Sequence, residues 1–356
     1  MLNFDSDYTR GAHPEVLRRL TETNMEATVG YGLDTYCRRA ADLIRSACRL
    51  PEEALVAFLI GGTQTNATVI DALLGHCQGV VAAESAHINV HESGAIEATG
   101  HKVLTQPTPD GKLTARQIDD YADSFYADDT WEHMVQPGMV YITHPTELGT
   151  LYSLAELEAI SEVCRRRGLP LYLDGARLAY ALGSEASDVT LPDIARLCDA
   201  FYIGGTKAGA LMGEAVVCAD PRLLPRFFSL VKQHGALLAK GRLLGLQFEA
   251  LFTDGLYRRI GRNADLMARR LAEGFTSRGY RLLLPSPTNQ QFPILPNALI
   301  EALRPEVGFE FWGAPGAEES AVRFVTDWST TEADIDALLA LVPPAGEYAE
   351  KRSADC

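Results

Sequence analysis

Two short apolar segments of this chain each end abruptly in a charged residue. Leu171-Tyr-Leu-Asp174 runs into Gly-Ala-Arg177, and about thirty residues later Tyr202-Ile-Gly-Gly-Thr leads to Lys207. Each pattern predicts a strand that delivers a charged side chain into a loop of small residues. In an open parallel sheet, such loops line the crevice at the carboxyl ends of the strands, where ligands bind. Asp174 and Lys207 are therefore predicted to meet at one edge of a sheet.

An acid and a lysine at neighbouring strand ends suit the chemistry of pyridoxal phosphate (PLP). The lysine forms a Schiff base with the cofactor aldehyde, and the acid keeps the pyridine nitrogen protonated so that the ring accepts electrons from a carbanion. A lysine at a strand end is by itself more often structural or phosphate-binding. The pair with this spacing favours Lys207 and Asp174 as a PLP site.

Composition excludes several classes of partner. The formal net charge of −15 and the pI near 5.0 argue against nucleic acid or an acidic membrane. No stretch reaches the length of a membrane span, and the first residues lack the pattern of a signal peptide, so we expect a cytoplasmic protein. Seven scattered cysteines without a C-x-x-C pair are typical of reduced thiols. His87 and His91 lack the acid of a zinc motif, and no metal is predicted.

The order of the predicted elements indicates the fold class. Strands alternate with helices from residue 54 to residue 218, which predicts an α/β fold with a mostly parallel central sheet flanked by helices. Among the expected elements are a helix over 86–98 and a helix capped by Ser153 and Glu156. We predict an N-terminal arm and large PLP-binding domain over 1–250, and a smaller α+β domain over 251–345 with a strand at 280–284. Residues 346–356 are expected to form a loose tail.

Further residues suit a cofactor or a base. Gly62 and Thr63 lie where a strand meets a helix, and a helix N-terminus favours an anion such as the cofactor phosphate. The turn is neither a Walker loop nor a dinucleotide fingerprint, and by itself it is weak evidence. Thr206 adds a hydroxyl beside Lys207. His87 is either an ordinary satisfied histidine or a ring that stacks on the cofactor or acts as a base near the substrate.

Two arginines stand out as candidate anion sites. Arg177 follows Asp174 by three residues, and Arg323 lies among apolar residues of a predicted strand. A buried guanidinium needs an anionic partner, which is either a substrate carboxylate or a structural ion pair.

Motifs along almost the whole chain resemble the threonine aldolase/β-eliminating lyase family of PLP enzymes, which have the aspartate-aminotransferase-type fold. The matching segments are Phe4-Asp-Ser-Asp7, Gly62-Thr63 with Asn66, His87 with Glu92, Asp174-Gly-Ala-Arg177, Thr206-Lys207 and Val322-Arg-Phe-Val-Thr326. The combination of Asp-Gly-Ala-Arg with the lysine is specific, and the other segments support it.

The resemblance implies a role for each matching position. Lys207 would carry the cofactor, Asp174 would pair with the pyridinium, and His87 would stack on the ring. The phosphate would be held by Gly62, Thr63 and Thr206, and the substrate carboxylate by Ser6, Arg177 and Arg323, with Arg177 also beside the cofactor. Lys240 or Arg242 resembles a basic residue that reaches the phosphate of a neighbouring subunit. The resemblance also implies a homo-oligomer, either a dimer or a tetramer built from dimers.

One departure concerns the loop after residue 143. The family typically has Glu-Asn-Thr-His there, whereas this chain has His144-Pro-Thr-Glu147. If the following glycine fixes the alignment, Glu147 takes the position of the family histidine. The resemblance then implies an aldolase that cleaves a β-hydroxy-α-amino acid to glycine and an aldehyde, with His87, Glu147 or a water between them accepting the hydroxyl proton. The alternatives are β-elimination to ammonia and a 2-oxo acid, and a non-catalytic protein with the PLP fold.

Overall fold

The computed structural model describes residues 1–314 and 316–346, and most of the tail predicted over 346–356 lies outside these residues. The strands are β1 Leu2–Asn3, β2 Leu55–Leu59, β3 Gln78–Ala83, β4 Lys102–Gln106, β5 Gln136–Thr143, β6 Leu171–Asp174, β7 Ala200–Gly204, β8 Glu214–Cys218, β9 Gln290–Gln291, β10 Ile294–Pro296, β11 Val307–Gly308, β12 Glu310–Gly313 and β13 Glu319–Val325.

Helices connect most of these strands. They are α1 Pro14–Glu22, α2 Thr35–Cys48, α3 Gly62–Leu73, α4 His87–Val90, α5 Ala115–Tyr126, α6 Leu154–Arg167, α7 Leu178–Gly183, α8 Leu191–Leu197, α9 Phe227–Gln233, α10 Arg242–Phe252, α11 Leu256–Ser277, α12 Asn297–Leu303 and α13 Glu332–Leu341. No helix within the described ranges has the length and apolar character needed to cross a membrane.

The central sheet has seven strands in the order β2-β8-β7-β6-β5-β3-β4. The strands from β7 to β4 pair in parallel, while β8 is antiparallel to both β7 and β2. Strands β6, β7 and β8 are buried along their whole length, as expected of a sheet covered by helices on both faces. The predicted α/β fold with a mostly parallel sheet is confirmed.

A second, smaller sheet follows in the chain. It has the strand order β10-β13-β12, and β9 also pairs with β13. Its apolar face packs with α11 and α13 in a separate hydrophobic cluster, which includes Phe4, Leu271, Phe275, Phe324 and Ile335. The N-terminal arm thus joins this second cluster through Phe4. The domain boundary near residue 250 remains a prediction.

Local signals set several helix ends correctly. Helix α6 begins at the predicted capping box, in which the Ser153 hydroxyl accepts the Glu156 N–H at 3.3 Å and the Glu156 carboxylate accepts the Ser153 N–H at 2.8 Å. These two bonds satisfy N–H groups that have no partner within the helix.

Two predicted elements are wrong. The helix expected over 86–98 stops at Val90, because Ser93 and Gly94 take the left-handed conformation with φ of 52° and 73°. The strand expected over 280–284 is reduced to a single bridge between Leu282 and Pro293. Leu283 is exposed, Leu282 and Leu284 are only partly buried, and no strand in the described part of the chain offers them a continuous row of hydrogen bonds. The pattern also gave no signal for β4 and α5.

Candidate active site

A cavity of about 270 Å³ opens where β5, β6 and β7 end and α3 begins. Eight of the sequence-predicted residues line it: Gly62, Thr63, His87, Glu147, Asp174, Arg177, Thr206 and Lys207. Ser6, Arg323 and Arg242 do not appear among its lining residues, whereas Tyr8 does. The crossover topology thus gathers these eight predicted residues, which span 145 positions of the chain, as the carboxyl ends of parallel strands do.

Asp174 ends β6 and is buried. One carboxylate oxygen accepts the Tyr141 hydroxyl at 2.6 Å and the Asn66 Nδ2 at 2.9 Å, and the other accepts the Ala176 N–H at 2.9 Å. Three donors stabilise the negative charge of a buried carboxylate. The arrangement therefore presents a fixed anion at the floor of the cavity.

His87 is connected to Asp174 through a short chain of hydrogen bonds. Asn66 Nδ2 also donates to Glu92 Oε1 at 2.8 Å, and the same Glu92 oxygen lies 2.7 Å from His87 Nδ1. The Asn66 carbonyl in turn accepts the Tyr172 hydroxyl at 3.0 Å. Because the partner is a carboxylate, Nδ1 carries the proton, which leaves Nε2 as the ring nitrogen that can accept one.

Glu147 reaches the cavity from the loop after β5. Its Oε1 accepts the His87 backbone N–H and the Thr143 hydroxyl, both at 2.9 Å. Burial raises the pKa of Glu147, and the nearby charge of Asp174 raises it further. Its other oxygen makes no hydrogen bond within the described residues, so it is available to a ligand.

His144 is the other ionisable residue of the same loop, and it does not line this cavity. It is fully buried, and its Nδ1 accepts the Tyr152 N–H at 3.3 Å. Burial lowers the pKa of His144 to about 4, which keeps the ring neutral. Of the two departures in this loop, Glu147 is therefore the one in position to contact a ligand.

Lys207 follows β7 and projects its amine into the cavity. Its carbonyl accepts the Tyr180 hydroxyl at 2.5 Å, which fixes the backbone, while Nζ makes no hydrogen bond or ion pair in the described part of the chain. Burial and the positive charge of Arg177 lower the pKa of Lys207. A lowered pKa increases the fraction of free amine, the form that attacks a carbonyl carbon.

Glu214 is a site residue that sequence reasoning missed. It begins β8, where the surrounding sequence has the pattern of a buried strand, so nothing in the local sequence indicated a functional residue. Its carboxylate accepts the Thr206 hydroxyl at 2.8 Å and the Gly205 N–H at 3.1 Å. Burial raises the pKa of Glu214 to about 8. The Thr206 hydroxyl also accepts the Gly213 N–H at 3.0 Å, so it is held by this loop.

The N-terminus of α3 forms the opposite wall. Gly61 caps the helix without a side-chain hydrogen bond, and no side chain among the described residues accepts from the backbone N–H groups of the first turn. A Cβ added at Gly62 would lie 3.2 Å from the Tyr202 hydroxyl, which leaves little room for a larger residue. Free N–H groups and the helix dipole together suit a phosphate.

Each of the two predicted arginines is paired with a carboxylate. Arg177 donates through Nε and Nη2 to Asp7, at 2.7 and 3.1 Å, and Asp7 also accepts the Asn289 Nδ2 at 2.9 Å. Although burial acts to raise it, the charges of Arg177 and Lys207 lower the pKa of Asp7. Arg323 donates to Gln290 Oε1 at 3.0 Å and to Glu310.

The remaining predicted residues lie outside the cavity lining. Ser6 is buried beside Asp7, with 3.5 Å between its hydroxyl and the carboxylate. Arg242 begins α10 and donates to the carbonyls of Thr23 and Glu26, at 2.5 and 2.8 Å. Neither residue contacts this chain's own cavity.

The fold and the cavity define an α/β enzyme of the aminotransferase-type architecture, with a lysine and an aspartate at adjacent strand ends. The chain belongs to the beta-eliminating lyase family, whose model matches residues 3–296. The predicted family resemblance is confirmed.

Individual proteins support the same assignment. A low-specificity L-threonine aldolase from Pseudomonas aeruginosa is 34% identical over 333 residues, which cover 92% of this chain and 93% of that protein. A threonine aldolase structure from Leishmania major superimposes with a TM-score of 0.92 at 43% identity, covering 96% of this chain and 98% of that one. Aspartate aminotransferase from Thermus thermophilus, at 18% identity and a TM-score of 0.69, shares the fold.

Proposed function

We infer that this chain is a PLP-dependent aldolase that cleaves a β-hydroxy-α-amino acid, of the threonine or phenylserine type, to glycine and an aldehyde. The observation that carries the proposal is the single cavity in which Lys207, Asp174 and His87 converge. The relatives named threonine aldolase, which align along nearly the whole chain, support this choice of reaction.

The residues of the cavity fit PLP. Lys207 would hold its aldehyde carbon, Asp174 its ring nitrogen, and the first turn of α3, with Gly62 and Thr63, its phosphate. The fit rests on polar groups that have no side-chain partner among the described residues, namely the amine of Lys207 and the N–H groups at the start of α3. When bound, PLP supplies an electron sink for the pair released at the substrate α-carbon.

Other residues of this chain would bind the substrate and move its proton. Arg177 and Arg323 would hold the carboxylate, which orients the bond to be broken. The β-hydroxyl proton would pass to Glu147 or to Nε2 of His87 as the carbon–carbon bond breaks and the aldehyde leaves. Glu147 suits this step because it lines the cavity, and its raised pKa makes it a stronger base than an exposed glutamate.

The family description favours one competing reaction. A β-eliminating lyase would use the same lysine to remove the α-proton and would release the β-substituent, giving ammonia and a 2-oxo acid. The two reactions differ in whether the β-oxygen is deprotonated or protonated as the bond breaks. A non-catalytic protein with this fold is a third reading, in which the purified protein binds PLP and turns over neither kind of substrate.

Product analysis tests the proposal. Purified, PLP-loaded protein is given a panel of β-hydroxy amino acids that includes threonine and phenylserine, and glycine, aldehyde, ammonia and 2-oxo acid are measured. Glycine with an equimolar aldehyde is the expected result and identifies the preferred side chain. Ammonia with a 2-oxo acid would contradict the aldolase proposal and favour the lyase reaction.

The proposal also covers the domain division, the localisation and the oligomeric state of the enzyme. We propose a large domain over 1–250 and a small domain over 251–345, and two separate hydrophobic clusters support this division. We further propose a cytoplasmic homo-oligomer, a dimer or tetramer, in which Arg242 or Lys240 reaches the phosphate of a neighbouring subunit. Arg242 lies outside the cavity of its own chain, which is compatible with that role.

A further inference from the structure

Arg323 is held by a set of contacts that leaves one of its donors unused. Nη1 donates to Gln290 Oε1 at 3.0 Å, Nη2 donates to Glu310, and the guanidinium lies 5.4 Å from the centre of the Trp312 ring. Nε is buried and has no partner among the described residues. A buried N–H without an acceptor is costly, which indicates that an acceptor is missing from this arrangement.

The two arginine–carboxylate pairs differ in how firmly they are held. The Asp7 side chain is 0% exposed and is fixed by Asn289 as well as by Arg177. The Glu310 side chain is 43% exposed, and its carboxylate makes no hydrogen bond in the described chain other than the one to Arg323. Moving Asp7 would leave a buried charge unpaired, whereas moving Glu310 would return a carboxylate to water.

The sheet gives Glu310 a path away from Arg323. The two residues lie directly opposite each other in the antiparallel pairing of β12 with β13. Strand β12 is at the end of the strand order β10-β13-β12, so its outer side has no neighbouring strand in that sheet. A change in the rotamer of Glu310 releases Arg323 without breaking the strand pairing.

We propose that Glu310 is a displaceable counter-ion, which neutralises Arg323 until the carboxylate of the substrate takes its place. The proposal rests on the function proposed above, in which Arg323 holds the substrate carboxylate. Glu310 then acts as a specificity-determining residue: a ligand must carry a carboxylate that outcompetes it, and the competition weakens the apparent affinity for every such ligand.

The test compares Glu310→Gln with Glu319→Gln in the PLP-loaded enzyme. Glu319 is a matched control because its 40% exposed side chain on β13 pairs with a different arginine, Arg281, at 2.6 Å. The probe is 3-hydroxybutyrate, which keeps the carboxylate and β-hydroxyl of threonine but lacks the amino group, so it binds without turnover. Its Kd is measured by calorimetry, with 1,3-butanediol, which lacks the carboxylate, as the control ligand.

Removing the competing charge should tighten binding of 3-hydroxybutyrate by about two- to fivefold, the range expected for a partly exposed ion pair. The KM for threonine should fall by a similar factor, with little change in kcat, and Glu319→Gln should match the unmodified enzyme. An unchanged or higher Kd in Glu310→Gln would overturn the proposal and make Glu310 a residue that merely holds Arg323 in place.

The same measurements separate this proposal from the proposed function. Tighter binding of 3-hydroxybutyrate in a protein that yields no glycine from any substrate would retain the role of Glu310 and reject the aldolase. Glycine formation together with unaltered binding of 3-hydroxybutyrate would retain the aldolase and reject the role of Glu310. Thermal unfolding of both variants verifies that neither change has disturbed the fold.

Discussion

Lys207 lines the cavity just beyond the end of β7. Its amine has no hydrogen bond in the described structure, and its carbonyl is fixed by Tyr180. We predict that Lys207→Ala lowers turnover at least about a thousandfold and removes the visible absorption of bound PLP, because the nucleophile is gone. Absorbance spectra and initial rates test this. Lys102→Ala, at an exposed position of β4, is the control, and a yellow, fully active Lys207→Ala enzyme would contradict the site assignment.

Glu147 is the residue that most separates this chain from the family pattern. We predict that Glu147→Gln lowers kcat for aldol cleavage by about a hundredfold or more while PLP binding changes little, since general acid–base catalysis has that magnitude. Unchanged cleavage kinetics would return Glu147 to a structural role. Glu156→Gln, which alters a partly exposed carboxylate on α6, controls for the loss of one charge.

The pH profile gives Glu147 a second test. As a base it acts when ionised, so the rate should rise with pH through its pKa, which burial raises above the ordinary value of 4.5. The acid limb of kcat should therefore lie above pH 4.5 in the unmodified enzyme. In Glu147→Gln this limb should disappear from a rate profile measured between pH 4 and 8. A limb that remains in the variant would assign it to another group.

Several site residues were predictable because each follows a local pattern. Asp174 ends an apolar strand, Lys207 lies three residues beyond the end of another, and Gly62 begins a helix. Glu214 was not predictable, because a glutamate at the start of a buried strand gives no local sign that it will face Lys207. The partners of Arg177 and Arg323 were also hidden, since the sequence left both a substrate carboxylate and a structural ion pair open.

At the scale of elements, the contact between α7 and α11 depends on two glycines. A Cβ at Gly261 would lie 1.8 Å from the Ala179 carbonyl oxygen, and one at Gly183 would lie 2.3 Å from the Arg262 nitrogen. The helix backbones approach so closely that no side chain fits between them. Since Arg177 and Asp174 directly precede α7, this contact also fixes one wall of the cavity.

We predict that Gly261→Ala lowers the free energy of unfolding by about 3 kcal/mol, because the added methyl group would force the two helices apart. Denaturant unfolding followed by circular dichroism measures the change. Gly11→Ala, where nothing lies within 4 Å of the added carbon, should differ little from the unmodified protein. Equal stabilities of the two variants would show that the helices can separate without cost.

Burial of Asp265 on α11 lowers the free energy of unfolding by an amount that depends on pH. Its side chain is buried, neither carboxyl oxygen has a partner in the described residues, and burial raises its pKa to about 9. In the unfolded chain the same carboxyl ionises near its ordinary value of about 3.9. Between these two values the unfolded chain binds fewer protons than the folded one, so rising pH favours unfolding through this group.

Asp265→Asn should therefore stabilise the protein by about 1–3 kcal/mol at pH 8 and by less at pH 5. Thermal unfolding of both proteins at the two pH values tests the sign. The exposed Glu273→Gln on the same helix serves as the control. An equal gain at pH 5 and pH 8 would show that the carboxyl is already ionised in the folded state at pH 5.

The two wrongly predicted elements, one helix and one strand, failed for physical reasons. Residues 86–98 and 280–284 were assigned from their composition, which suits a helix and a strand. The helix was broken by the left-handed conformation of Ser93 and Gly94, and the strand lacked a neighbour with which to pair. Hydrogen-bond partners of a strand lie elsewhere in the chain, so a local pattern cannot guarantee them.

At the scale of the whole molecule, an apolar groove of about 300 Å³ lies between α2, β2 and α9. Tyr31, Leu33 and Phe228 line it, and their exposed fractions are 44%, 62% and 55%. Met25, at 92% exposed, lies on the same segment of chain. Apolar side chains left in water to this extent are typical of an interface, and the homo-oligomer proposed above would bury them here.

We predict that Phe228→Glu shifts the oligomer towards smaller species, because it places a charge on this groove. Sedimentation velocity at micromolar concentration measures the change. Phe311→Glu, at a position with a similar exposed fraction of 56% on the smaller sheet, should leave the assembly intact. Dissociation by Phe311→Glu instead would place the interface on the other side of the molecule.

Sequence patterns alone predict the α/β architecture and eight of the residues that line the cavity. The reason is that strand ends, helix caps and glycine turns are local features, and parallel strands bring their carboxyl ends to one edge whatever connects them. The tertiary structure alone decided which charges meet. Asp7 finds Arg177 across 170 positions, and Glu310 finds Arg323 only through the register of β12 and β13. Such pairings depend on the order of strands and on burial, and no local pattern encodes either.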